Sequence, residues 1–408
     1  MQIMSFMKIK YTCPNSAISE LVEQLSTTGN PQKSVPDEPI YGRVLGENIT
    51  ADRHSPAADL SAMDGYAINN SDLEIGSTLP IQGESKAGSP APPLHAGTAV
   101  RIFTGAIIPE NANQVIKREN TIESESTIQI KPSSSGYPIG CNIRRAGENA
   151  AKGEVVLRKG EQINGANAST LANFGYQAVK LFPAVKISII TTGDEVGKFD
   201  HDEPKPWQIR DSNLQSLRVL FQGHPWIHLE RLEHCSDDRE LLLKTMKDSL
   251  SDSDALIMTG GVSVGDYDYV PQLISELDAK PTFHGLPIRP GKPILGAANS
   301  KGQLILGLPG NPVSALVGCY RIGMPLLRYI AGFTEWNSAP APVNIANPDT
   351  KTLPMHWYRL VKQNSQGELL LCATQGSGDL VSLGGSSGFI EVQPNHCGEG
   401  PWPYYAWN

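Results

Sequence analysis

The strongest constraint on the fold lies between Val185 and Pro325, where short apolar runs alternate with segments of helical period and each run ends in a turn carrying glycine. Val185 to Thr192 reads as a strand feeding Gly193-Asp194-Glu195. Asp211 or Ser212 then caps a helix whose Leu214, Leu217 and Phe221 share a face, closed by Gly223. Ser236-Asp237 opens a second helix with Leu242, Met246 and Leu250 in a stripe, and Ala255 to Thr259 is the next strand. Val270 to Leu277 reads as a helix and Leu304 to Leu308 as a strand. Asn311 and Pro312 are suited to N-cap and first helical residue of a helix bearing Val313, Leu316, Val317 and Tyr320, with Pro325 kinking its far end. Strands alternating with helices predict a doubly wound parallel sheet with right-handed crossovers. Ligands of such sheets bind outside the carboxyl ends of the strands, which here are Thr192-Gly193-Asp194-Glu195, Thr259-Gly260-Gly261 and Gly307 to Asn311.

The middle loop states the chemistry most clearly. In T-G-G-V-S-V-G-D-Y-D, glycines let backbone N–H groups approach an anion, while Asp266 and Asp268 would repel a phosphate unless a cation stood between them. A magnesium-assisted phosphate site is the natural reading.

The remainder of the chain is organised differently. At 408 residues it is too long for one core, and 39 Gly with 31 Pro imply many turns and a large β share. Pro14 to Gly29 reads as a helix with Ile18, Leu21, Val22 and Leu25 inward. Ser55 to Ile68 holds two carboxylates, Asp59 and Asp64, around S-A-M. Residues 70–140 suggest a small all-β unit in which Arg101 to Ala106 ends a strand at a Thr-Gly turn. Arg144, Arg145 and Glu148 sit in a glycine-rich loop suited either to solvent or to an anion, and residues 332–408 return to short β segments. With 34 basic against 42 acidic residues and no basic run, a nucleic-acid groove is excluded as the main business. The six cysteines lie far apart, which predicts reduced thiols. Neither a leader nor an apolar run long enough to cross a membrane is evident, so the chain reads as cytoplasmic. His224, His228 and His234 lack metal-ligand spacing and read as surface or linker residues.

The ordered motifs S-A-M-D-G-Y-A, R-I-F-T-G-A, N-I-R-x-x-G-E, T-T-G-D-E, G-G-V-S-V-G-D-Y-D, R-P-G-K-P and L-P-G-N-P-V-S-A together resemble the molybdopterin molybdenumtransferase (MoeA) family, to which the C-terminal domain of gephyrin also belongs. The resemblance implies a cytoplasmic homodimer of four-domain subunits with shared active sites. It divides the chain into a linker and dimerisation domain (1–54 and 140–182), a small β domain (55–139), an α/β molybdopterin-binding domain (183–331) and a C-terminal β-barrel (332–408). It implies molybdenum cofactor synthesis, in which molybdenum from molybdate enters adenylated molybdopterin with Mg²⁺-dependent cleavage of the phosphoanhydride and release of AMP.

By matching position, Asp59, Asp64, Thr104, Glu195, Asp211 and Asp268 are expected to be catalytic, with Glu195, Asp211 and Asp268 holding the metal. Arg144, Gly260, Gly261, Ser263, Gly265, Pro309, Gly310, Asn311 and Pro312 are expected at substrate, and Arg289, Lys292, Arg359 and Ser377 at molybdate. Other cofactor-biosynthesis proteins are candidate partners. The chain departs from the family at Asn149, where relatives carry Asp, at Gly285, where a lysine is common, and at Asn111 to Val115. Two competing readings follow. A molybdopterin adenylyltransferase or nucleotide-cleaving relative would lack Ser61 to Gly65 and Arg144. A catalytically impaired paralogue that binds molybdopterin or a protein partner would have lost polar groups such as those at 149 and 285.

Overall fold

The computed structural model describes residues 10–34, 39–76, 78–133, 136–197, 203–263, 265 and 268–407. They form two compact units, one of residues 1–47, 159–166 and 178–408 and the other of residues 48–158 and 167–177. Asp266 lies outside the described residues.

The first unit is built on a six-stranded sheet. Its strands are β1 (Val185–Thr192), β2 (Ile227–Cys235), β3 (Ala255–Thr259), β4 (Ala279–His284), β5 (Leu295–Asn299) and β6 (Leu304–Leu308), in spatial order β2-β1-β3-β6-β5-β4. All five residues of β3 and of β6 are buried, as expected of central strands covered on both faces. Helices α1 (Pro14–Val22), α2 (Ser212–Gln222) and α5 (Pro312–Gly318) pack their apolar residues into the core on one face. Helices α3 (Arg239–Asp252) and α4 (Val270–Leu273) pack theirs into the other.

The sheet is mixed, where alternation of strand and helix predicts a wholly parallel one. Strands β2, β1, β3 and β6 run parallel, whereas β5 is antiparallel to β6 and β4 to β5. The cause is length: residues 300–303 between β5 and β6 form a tight turn, and a parallel crossover needs a dozen residues or more. Helix ends also differ from expectation. The turn after α1 tightens, with the Gln24 and Leu25 amides reaching back three residues to Leu21 and Val22, so the helix stops before Gly29. Asp238 rather than Ser236 or Asp237 caps α3, its side chain accepting from the Leu241 N–H at 2.8 Å. Residues 270–277 are α-helical only to Leu273 and continue as a 3₁₀ turn to Leu277, where Asp278 turns left-handed at φ 55°. Helix α5 passes through a π turn, Cys319–Gly323, into α6 (Met324–Ile330), just ahead of Pro325.

Beyond α6 the strands Pro342–Val343, His356–Gln363, Leu369–Leu371, Gly388–Val392 and Trp402–Ala406 pair antiparallel, and an isolated parallel bridge joins Ile345, just past the first of them, to Leu369 in the third. A buried ionic group ties them to the helices. Arg321 of the π turn donates to Glu391 at 2.7 Å and to Asn15 at 2.7 Å, while Glu391 also pairs with His356 at 2.7 Å and accepts from the Tyr405 hydroxyl at 3.1 Å.

The second unit carries a six-stranded sheet in the order Gln114–Lys117, Gly65–Ile68, Ala99–Ile102, Thr78–Ser85, Thr127–Ile130, Thr121–Glu123. Gly65 is obligatory at its start, since a Cβ there would stand 2.0 Å from the Ile116 carbonyl oxygen.

Candidate functional site: an acidic and a basic cleft sharing one loop

The carboxyl ends of β1, β3 and β6 open into a cleft of about 950 Å³ lined by Gly193, Glu195, Asp211, Asn213, Asp237, Gly260, Gly261, Gly265, Asp268, Gly310, Asn311 and Pro312 among others. Among the described residues its charged lining is Glu195, Asp211, Asp237 and Asp268 against Arg210. Glycine shapes the floor: at Gly260, φ is +86° and a Cβ would lie 2.6 Å from the Thr192 hydroxyl oxygen and 2.8 Å from its carbonyl oxygen. Asp268 folds back so that one carboxylate oxygen accepts the Gly265 N–H at 2.6 Å.

Asp237 lines this cleft and His234 stands behind it, neither in the role its sequence position suggests. Asp237, freed from capping α3, exchanges backbone-to-carboxylate contacts with Asp194, at 3.1 and 3.4 Å. Burial, together with the charges of Asp194 and Glu195, pushes the Asp237 carboxyl above its usual range despite the Asp194 N–H. His234, at the end of β2, approaches the Thr191 hydroxyl at 3.3 Å, and Thr191 in turn donates to Asp211. Asn213 was not singled out at all. Its amide nitrogen donates to the Gly310 carbonyl at 2.7 Å and to the Thr259 hydroxyl at 3.3 Å, leaving its buried Oδ1 without a hydrogen bond in the lining of the cleft. Only the D-S-N sequence at a helix start could have flagged it.

Of the three carboxylates expected at the metal, Asp211 already has a partner for each oxygen. Asp211 is buried and spends one oxygen on the Leu214 N–H, 2.9 Å away at the start of α2, and the other on the Thr191 hydroxyl. It is the N-cap of α2. Among the described residues no three His, Cys, Asp or Glu side chains come together in a way that could hold a metal ion. Glu195, Asp237 and Asp268 nevertheless line one cleft, and magnesium commonly takes only one or two carboxylates, completing its shell with water and substrate phosphate. Such donors would suit an ion that takes its remaining ligands from water and substrate, and not an all-protein cage.

A second cleft, of about 1370 Å³, adjoins through the same loop: Asn311 lines both, with Pro309 on this side. Its charged lining is Arg289, Lys292, Lys351 and Arg359 against Asp349, the reverse of the first. Ser377 lies here too, its carbonyl accepting the Val313 N–H at 3.1 Å. The four residues expected at an oxyanion are therefore together. Arg359, however, is already engaged, donating to both oxygens of Asp349 at 2.8 and 2.7 Å. Ser263 is half-buried and lines neither cleft.

Asp59, Asp64, Thr104 and Arg144 belong to the second unit. Segment 59–64 is held by main-chain bonds from Ile108 to Asp59 at 2.9 Å, Gly105 to Ser61 at 2.8 Å and Ala62 to Asn142 at 2.9 Å. Asp64 accepts both the amide and the hydroxyl of Thr104, each at 2.8 Å, and these bonds hold its carboxyl below the usual range. Asp59 accepts from the Ala146 N–H at 2.8 Å and from Arg145 at 2.6 Å; burial raises its carboxyl, but these two donors outweigh it and the net shift is downward. The arginine that meets Asp59 is thus Arg145. Arg144 turns instead to Glu148, at 2.6 Å, and to the Asn149 side-chain oxygen, at 3.3 Å.

Comparison with known proteins agrees with this architecture. Residues 14–175 match the MoeA N-terminal region (domain I and II), and residues 188–329 match a probable molybdopterin binding domain. A Synechocystis protein named molybdopterin molybdenumtransferase is 31% identical over 379 residues, covering 90% of this chain and 93% of its own. One of the same name from Haemophilus influenzae is 35% identical, covering 86% and 87%. The crystal structure of the molybdopterin biosynthesis moeA protein from Pyrococcus horikoshii superposes with a TM-score of 0.79 at 24% identity, covering 97% of each chain, and shares the fold.

Proposed function

Because the chain belongs to the molybdopterin molybdenumtransferase family, we propose that it completes molybdenum cofactor by moving molybdenum from molybdate onto adenylated molybdopterin, with Mg²⁺-dependent cleavage of the phosphoanhydride and release of AMP. The observation that carries this reading is the pair of clefts of opposite charge meeting at Asn311. The reaction must bring two anions together. A basic pocket suits free oxyanion, and a glycine-lined acidic pocket suits a phosphoanhydride accompanied by a cation.

Within this reading Gly260, Gly261, Gly265 and Gly310 give the phosphate chain close access to backbone, and the buried Asn213 Oδ1 offers an acceptor to a substrate donor. Glu195 and Asp268 would hold magnesium, whose chemistry is to neutralise charge on the phosphoanhydride oxygens. Asp211 serves by fixing the start of α2. Arg289 and Lys292 attract molybdate, and Arg359 joins them once Asp349 yields it. The reading further includes a homodimer in the cytoplasm with active sites shared between subunits, to which Asp59, Asp64 and Thr104 contribute. It also includes the four-domain division set out above. The bridge from Ile345 to Leu369 favours the C-terminal β-barrel, since it brings the strand path back on itself.

The impaired-paralogue reading is not favoured: relatives bearing the transferase name match most of the chain, and the polar groups of both clefts are present. Purified protein incubated with adenylated molybdopterin, molybdate and Mg²⁺ is expected to release AMP, with turnover lost in Glu195→Ala and Asp268→Ala. Tight binding of adenylated molybdopterin without AMP release, restored by Asn149→Asp, would return the paralogue reading to favour.

A further inference from the structure

Arg359 does not stand free in the basic cleft. Besides its two-point pairing with Asp349, its guanidinium lies over the Trp357 ring, 4.2 Å from the centroid. Its side chain is 17% exposed and that of Asp349 32%, so the pair is accessible from the cleft but not fully solvated. Asp349 is itself steadied by the Lys351 N–H at 3.2 Å. The carboxylate thus occupies the fork with which a guanidinium would grip any oxyanion. Among the described residues no carboxylate pairs with Arg289 or Lys292, which are exposed on the same cleft.

We propose that Asp349 is a built-in competitor for the oxyanion, a positioning residue that keeps Arg359 aligned and sets how strong an anion must be to claim it. The proposal rests on the reading of this cleft as the oxyanion pocket. An anion reaching Arg359 alone must displace a bidentate carboxylate and gains little by the exchange. A tetrahedral dianion that also engages Arg289 and Lys292 recovers the loss through two further charge contacts. Asp349 therefore lowers affinity for every anion, and most in proportion for those too weakly charged or too small to use all three basic groups.

The test is calorimetric titration of the full chain with molybdate and with nitrate, comparing wild type, Asp349→Asn and Asp349→Ser. The neutral variants should bind molybdate roughly two- to fivefold more tightly, the range expected for releasing one partly exposed ion pair. Nitrate should gain at least as much, so that the preference for molybdate narrows, and Arg359→Ala in the Asp349→Asn background should remove the gain. Weaker molybdate binding in both folded variants would show that Asp349 only supports Arg359. Equal affinities in all three would show that the pair does not compete. If the wild type and both variants alike bind no molybdate, or if they bind it and Arg289→Ala leaves that binding unchanged, the pocket reading fails and the proposal falls with it.

Discussion

Asp64 accepts two hydrogen bonds from one residue, the amide and the hydroxyl of Thr104, each 2.8 Å long. The pair locks the turn after Ser61 to the turn after Ile102. Because the shift is downward, the ionised carboxylate stabilises the fold above its ordinary titration range, and that contribution disappears as pH falls through the depressed value. Thr104→Val keeps the amide donor and removes the hydroxyl. The Asp64 carboxyl should then titrate at higher pH, closer to an ordinary aspartate, as followed by carboxyl NMR. An unmoved titration would mean the hydroxyl does not matter to the ionised form.

Asp211 joins the floor of the acidic cleft to the first turn of α2. Asn caps helices about as well as Asp, whereas Ala does not. Asp211→Ala should lose about 1–2 kcal/mol of stability in urea unfolding, and Asp211→Asn only a few tenths. Indistinguishable midpoints for the three proteins would show the cap to be idle and return Asp211 to the list of metal ligands.

Gly260 sits where β3 enters the cleft, against Thr192 at the end of β1. Gly260→Ala must adopt an unfavourable positive φ and displace Thr192, a strain on the order of 1–3 kcal/mol. The expected result is a lower melting temperature together with loss of phosphate-chain binding, measured with AMP as probe. Retention of both would mean the loop re-forms around a Cβ.

The ionic group at Glu391 is a separate case, for it holds the C-terminal strands to the π turn. Burial disfavours the Glu391 charge, but the His356 hydrogen bond and the Arg321 charge prevail and bring the carboxyl down to about 2. Glu391→Gln leaves a buried guanidinium without its counter-charge and should cost about 3–5 kcal/mol near neutral pH. Since the depressed carboxylate stabilises above its unfolded pKa and ceases to do so as pH falls through about 2, the gap between wild type and variant should narrow steadily below pH 4. A gap independent of pH would place the loss in packing and not in charge.

The strands β1, β3 and β6 and the loops at their ends could be read from sequence because long buried apolar runs and Gly-Gly turns are strong local signals. Strands β2 and β4 were less legible for a physical reason. The β2 sequence I-H-L-E-R-L-E-H-C lies on an edge and is mostly polar, while A-K-P-T-F-H of β4 carries a proline and few β-branched residues. The antiparallel pairs of the sheet are those made by β4 and β5, and without these two strands the remaining ones look wholly parallel. The site divides in the same way. That Glu195 and Asp268 would share a cleft followed from topology, as did the place of the glycines. Which arginine meets Asp59, that Asp211 is spent on a cap, and that Arg359 is held by Asp349 depend on side-chain partners far apart in sequence, which periodicity does not encode.

The Pro309–Pro312 loop has a cleft on either side, and Asn311 contributes to both linings. A partition only a few residues thick cannot yield toward one chamber without changing the shape of the other. Were an occupant of one side to move this loop, the other side would change with it, and by thermodynamic reciprocity that influence would run equally in both directions.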